Sequence, residues 1–247
     1  MRRAVAALAL LLAALAAPPA ARALPVDLEL VLALDVSRSM DDEELELQRQ
    51  GYANAFVHPQ IVQAIRGGPQ GRIAVTVVEW AGSNVQNVLI PWTLIDGPDA
   101  SEAFAAAILA TQKRSFNWTS ISGAIDFSKQ LFGLAHQGTR RVIDVSGDGV
   151  NNHGRPVVLA RDEAVAAGIT INGLAIMNDR PGPGGWRPFN QQPLDQHYRE
   201  QVIGGPGAFL MVAEDFDSFA FAIRNKLIRE VSGLDGPRVE YARAARE

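Results

Sequence analysis

The sequence switches repeatedly between short, almost wholly apolar runs and longer stretches of helical periodicity, and few architectures accept that order. LELVLAL (28–34), RIAVTVVEW (72–80), RRVIDVSGDG (140–149), ITINGLAIM (169–177) and AFLMVA (208–213) read as strands. Runs this continuously apolar belong to strands buried on both faces. Helical stretches lie between them: DDEELELQRQGYANAFV (41–57), DASEAFAAAILATQ (99–112) with Asp99 as its N-cap, ISGAIDFSKQLFGLA (121–135), one from Pro156 to just before Gly168, one around LDQHYREQVI (194–203), and one from about Asp217 to Val231. VQNVLIPW (85–92) reads as a further strand, separated from 72–80 only by AGSN. Four residues cannot carry a parallel crossover, so these two strands form an antiparallel hairpin. The order predicts an α/β domain: a mostly parallel sheet covered on both faces, with one antiparallel edge strand.

The first 23 residues stand apart. MRR is basic, AVAALALLLAALAA (4–17) is apolar, and ARA ends in a small residue at Ala23. That order is expected of a secretory signal peptide, residues 1–23, and the apolar run is shorter than the roughly 20 residues that span a bilayer. The expected organisation is a signal peptide, one α/β domain over 24–235 and a loosely attached tail over 236–247, in a protein exported to the periplasm or secreted. The chain has no cysteine, so the fold takes no support from disulfides and the leader is followed by no lipid attachment point. Removal of the leader takes away three arginines and leaves 20 basic against 27 acidic residues, a formal charge of −7. This balance argues against a nucleic-acid partner.

Sheets of this kind bind ligands beyond the carboxyl ends of their strands, and three polar clusters fall there. DVSRS (35–39) follows the first strand, Thr119 precedes a helix, and Asp148 sits between glycines after a central strand. Asp35, Ser37, Ser39, Thr119 and Asp148 offer only oxygen, which suits Mg²⁺ or Mn²⁺ rather than zinc or copper. The alternative is local: Ser37 and Ser39 capping the helix that begins near Asp41, and Asp148 as a turn residue.

The pattern D-x-S-x-S, then a distant Thr, then an Asp in a glycine turn, resembles the von Willebrand factor type A domain and its metal-ion-dependent adhesion site. VVEWAG, PWTLIDG and RRVIDVSGDGVNN further resemble an exported bacterial branch of that family with no assigned function. The resemblance implies a Rossmann-like, doubly wound sheet of six strands in the order 3-2-1-4-5-6, strand 3 antiparallel. It implies that Ser37 and Ser39 ligate the ion directly, Thr119 directly or through water, and Asp35 and Asp148 mainly through water. An open position on the ion then takes a Glu or Asp carboxylate from a protein partner, and occupancy can shift the last helix, here near 217–231. The sequence departs from the family where Trp118 replaces the more usual Gly before the Thr. A Mg²⁺-dependent hydrolase with Ser37 or Asp35 as nucleophile is the alternative; no G-x-S-x-G elbow, D-x-D pair or convincing base accompanies it.

Other polar residues carry less. Asp41, Asp42, Glu43 and Glu44 suit the first turn of a helix, where the dipole favours acids. Asp144 and Glu79 lie inside strands and require buried partners. His153 reads as a loop residue. The Gly- and Pro-rich stretch 178–193 leaves a strand on the metal face and carries Trp186 and Phe189, which are either anchors for a partner or packing under the loop itself.

Overall fold

The computed structural model describes residues 23–177, 192–214, 216–234 and 236–242. The chain runs β1 (Leu24–Asp35), α1 (Asp42–Phe56), α2 (Pro59–Arg66), β2 (Ile73–Trp80), β3 (Gln86–Ile95), α3 (Pro98–Leu109), α4 (Ile121–Lys129), β4 (His136–Gly147), α5 (Val157–Ala166), β5 (Thr170–Ile176), α6 (Leu194–His197) continued by one π-helical turn (Tyr198–Val202), β6 (Leu210–Ala213), α7 (Phe216–Ser232) and β7 (Val239–Ala242). The strands form one sheet in the order β3-β2-β1-β4-β5-β6-β7. β2 and β3 pair antiparallel as the short AGSN link requires, and every other neighbour is parallel.

The continuous apolar runs are explained by two cores. Leu28, Leu30 and Leu32 of β1 face one layer, where they meet Tyr52 and Phe56 of α1, Ile61 of α2, Phe104 of α3 and Phe219 and Ile223 of α7. Val31 and Ala33 point the other way, into Ile121 and Ile125 of α4, Val157 and Ala160 of α5, and Tyr198 and Val202 of the π turn. Alternate residues of a strand therefore both need apolar side chains, and the sheet is wound on both faces. Phe56 and Phe104 meet edge to face at 4.7 Å, a geometry worth about 1 kcal/mol beyond area burial.

Four expectations need correction. The sheet has seven strands rather than six, because residues 239–242 of the tail pair with β6 instead of hanging loosely. The reason is an unpaired row of backbone groups on β6, which Val239–Ala242 satisfies. Arg229 fixes the approach by donating to the Pro237 carbonyl at 2.7 Å. Asp99 is not the N-cap of α3: Gly97 is, with Pro98 preset for the first helical position and Asp99 inside the first turn. α4 stops at Lys129, short of residue 135, and β4 starts at His136, where its early residues pair with the start of β1. α2 was not anticipated at all, although His58 caps it and Pro59 opens it.

Residues 1–22 and 178–191 lie outside the described residues, and with them almost all of the expected signal peptide and both Trp186 and Phe189. Among the described residues no helix is long and apolar enough to cross a membrane. Parallel β1 and β4, side by side at the centre, deliver Asp35 and Gly147–Asp148 to the same sheet edge.

Candidate metal centre

Asp35 is the last residue of β1 and is fully buried. Its Oδ1 accepts the Ser37 backbone N–H at 2.7 Å, which folds the chain back after the strand. Ser37 Oγ and Ser39 Oγ lie 2.9 Å apart, and Ser39 Oγ donates to Asp148 Oδ1 at 2.6 Å. Four of the five expected residues thus form one chain of hydrogen bonds across two loops 109 residues apart. Neither serine caps α1. Asp41 does so, accepting from the Glu43 and Glu44 N–H groups while Glu44 reaches back to the Asp41 N–H in a capping box.

Thr119 joins from a third loop. The strand-like segment before it is stitched to the DVSRS loop, with the Arg38 N–H on the Phe116 carbonyl at 2.8 Å and the Phe116 N–H on the Val36 carbonyl at 3.0 Å. Asn152 accepts the Thr119 N–H at 2.8 Å, and the Thr119 carbonyl accepts from the Asn152 and His153 N–H groups. A Cβ on Gly149 would come within 3.3 Å of Thr119 Oγ1, so the glycine after Asp148 lets the two loops close on each other. Asn151 extends the brace: its side chain accepts the Ser122 N–H, and its own N–H donates to His197 Nε2 at 3.2 Å. Burial holds the His197 pKa below its ordinary value, which keeps this nitrogen an acceptor. Asn151, Asn152 and His197 escaped the sequence reading; the paired asparagines in SGDGVNN were the available signal.

The electrostatics favour a cation. Burial, and then the nearby charge of Asp148, hold the Asp35 carboxyl well above its usual range, only partly offset by the bonds from Ser37 and from the Asp148 backbone. Asp35 Oδ2 is buried with no hydrogen-bond partner, and so is the hydroxyl of Tyr198. The two orphans face each other past Gly147, where an added Cβ would fall 2.7 Å from Asp35 Oδ2 and 2.9 Å from Tyr198 Oη. Among the described residues no three His, Asp or Glu side chains gather as a metal cluster. The donor set is two carboxylates and three hydroxyls, all hard oxygens, and it fits Mg²⁺ or Mn²⁺.

Trp118 occupies the rim in the left-handed region, with φ of +70°, the single non-glycine residue there among those described. The usual Gly at this point takes that conformation freely; a bulky side chain does so at roughly 1–3 kcal/mol. Trp118 is 61% exposed, and its ring stacks on His153, centroids 5.5 Å apart and planes 18° apart. His153 is therefore part of the rim, its Nδ1 holding the Ser83 N–H at 3.0 Å.

The strand carboxylates find separate partners. Glu79 accepts from Asn87 at 3.1 Å and pairs with Arg114 at 3.4 Å. Asp144 lies beneath the site, 2.6 Å from Lys226 of α7, and accepts from Tyr52 at 3.3 Å.

A doubly wound sheet with β3 antiparallel and these loops at its carboxyl edge is the von Willebrand factor type A fold, and solved structures agree at low identity. A von Willebrand factor type A protein from Catenulispora acidiphila is 14% identical with a TM-score of 0.56, covering 83% of this chain and 43% of that one. Proximal thread matrix protein 1 from the mussel byssus, solved with a zinc-occupied MIDAS motif, is 15% identical with a TM-score of 0.62; the match covers 85% of this chain and 49% of that one. The pilus adhesin SpaC from Lactobacillus rhamnosus GG is 13% identical with a TM-score of 0.56, covering 86% of this chain and 31% of the adhesin. This chain therefore spans half or less of the length of each. A search of curated proteins returns no match. Residues 25–235 match the family described as protein of unknown function (DUF1194), and the chain belongs to that family.

Proposed function

We propose that the protein is an exported adhesion or scaffold module that binds Mg²⁺ or Mn²⁺ through Asp35, Ser37, Ser39, Thr119 and Asp148, and through the ion a Glu or Asp carboxylate of a protein partner. One observation carries the reading: a hydrogen-bonded chain of two serines and two carboxylates that ends in a buried carboxylate oxygen without a donor. Such an oxygen is costly unless a cation or its water reaches it. Hydroxyl ligands leave most of a divalent charge unneutralised, so the ion retains its attraction for an outside anion. Mg²⁺ keeps several waters and exchanges one for a carboxylate readily. The zinc-occupied MIDAS of the mussel protein and the adhesin class of SpaC support the same assignment by fold likeness. The basic and apolar leader supports export.

Calorimetric titration of Mg²⁺, Mn²⁺ and Zn²⁺ into the protein lacking residues 1–23 tests the ion. One site is expected in the wild type and none in Asp35→Ala or Asp148→Ala, with circular dichroism unchanged because both residues lie at loop ends. Unaltered affinity in both variants would place any ion elsewhere and end this reading.

A further inference from the structure

The rim residue Trp118 is unexplained by metal binding. It contributes no donor atom, it holds a backbone conformation that a glycine would adopt without strain, and most of its surface lies in solvent. Strained backbone that persists beside a functional loop points to a role for the side chain it displays. Here the display is fixed. Thr119, the next residue, is anchored at its N–H by Asn152 and at its carbonyl by Asn152 and His153. The His153 ring that backs the indole is itself held by the Ser83 N–H. A flat apolar surface is thereby presented one residue from the candidate ligand Thr119.

Resting on the cation-and-carboxylate reading above, we infer that Trp118 is the specificity-determining platform of this site, and that the partner's ligating Asp or Glu is directly flanked by an aromatic side chain that stacks on the indole. The near-parallel Trp118–His153 pair is an offset stack that a third flat ring extends, burying large area at the loss of few rotatable bonds. A cationic side chain could also lie on an indole, but here it would approach the divalent ion of the proposed site. An aromatic neighbour gains the contact without that repulsion.

The test compares wild type with Trp118→Gly and Trp118→Ala, using acetylated tetrapeptide amides Gly-Asp-Phe-Gly, Gly-Phe-Asp-Gly, Gly-Asp-Ala-Gly and Gly-Asn-Phe-Gly, in Mg²⁺ and in EDTA, followed by the indole N–H resonance and by calorimetry. At least one of the two Asp/Phe peptides should bind wild type about tenfold or more tighter than Gly-Asp-Ala-Gly, and the Asn peptide should not bind. In both variants that preference should fall to within about twofold while Mg²⁺ affinity stays within about twofold of wild type. Trp118→Gly should melt no lower than wild type, since it relieves the backbone. A retained preference in the variants, or a lower melting temperature for Trp118→Gly, would return Trp118 to a packing role and leave the cation site standing. Absence of any Mg²⁺-dependent binding by the Asp peptides to wild type would instead overturn the carboxylate reading, and this inference with it.

Discussion

Two buried aspartates, Asp35 at the end of β1 and Asp144 inside β4, have opposite fortunes. Both are fully buried and burial raises the pKa of both. Asp144 meets its counter-charge inside the chain: Lys226, equally buried, pairs with it and with Glu230, while Asn172 donates to Glu230 at 2.9 Å and Tyr52 to Asp144. Asp35 has no Lys or Arg partner among the described residues, only Ser37, backbone N–H groups and the added charge of Asp148 nearby. A carboxylate that is matched internally ties helices to a sheet; one without an internal counter-charge is, on the reading proposed above, free to take its positive charge from solution. That difference separates a structural buried acid from a candidate ion site more clearly than burial or pKa direction, which the two share.

Removing the internal counter-charge should break this contrast most strongly. Lys226→Met leaves Asp144 and Glu230 buried without a cation, and loss of one partner from such a cluster costs about 3–5 kcal/mol. Asp35→Asn, by contrast, should leave the stability of the metal-free protein within about 1 kcal/mol or raise it, since it removes a buried charge that lacks a partner. Urea denaturation in EDTA measures both. Equal losses in the two variants would show that Asp35 also has an internal partner.

The second comparison is in pH. Glu230 is pushed up from 4.5 to about 7 by burial and then by Asp144, with Lys226 and Asn172 opposing. A carboxyl whose folded pKa is raised binds more protons in the native than in the unfolded state between those two values. Its contribution to stability is fully present below about pH 4.5 and is lost as pH rises through about 7. Wild type should therefore lose stability relative to Glu230→Gln between pH 5 and 8, by at most about 3 kcal/mol, with Lys226, Asp144 and Tyr52 shared by both proteins. Parallel stability curves across that window would mean that Glu230 stays ionised.

How far the sequence discloses these features follows from how local their causes are. The DVSRS loop, the glycine turn at Asp148 and the β2–β3 hairpin are set by a few consecutive residues, and each lies where the pattern puts it. The need of Asp144 for a partner was legible, but Lys226 was not: it sits 82 positions away, and only the packing of α7 against α1 and the sheet brings the amine across. β7 was missed because four residues are too short to show a period, and its stability comes from the β6 edge. Trp118 was visible as a departure from the usual Gly; its positive φ, which gives the departure its meaning, is accompanied by the bonds that the next residue, Thr119, makes to Asn152 and His153 in another loop.

The finest distinction lies in the two tyrosines. Tyr52 donates to Asp144 at 3.3 Å, whereas Tyr198, in the π-helical turn, points its hydroxyl past Gly147 toward Asp35 Oδ2 without bonding it. Burial and then neighbouring Asp charge raise the pKa of both phenols, so both stay protonated and able to donate. Tyr52→Phe removes a bond made to a buried charge and should cost about 1–3 kcal/mol, independent of Mg²⁺. Tyr198→Phe deletes a hydroxyl that has no protein partner, so metal-free stability should move by less than about 1 kcal/mol. If that hydroxyl instead orients Asp35 once an ion arrives, Mg²⁺ affinity should fall about tenfold, the lower end for groups that position metal ligands. π turns occur often at functional sites, and this one follows directly on α6, whose His197 holds Asn151, and carries Tyr198 as its first residue. Denaturation and Mg²⁺ calorimetry on the two variants separate the roles. Unchanged Mg²⁺ affinity in Tyr198→Phe would make the two tyrosines alike in serving only the core, and a stability loss matching that of Tyr52→Phe would mean Asp35 already has a phenolic donor and is no orphan.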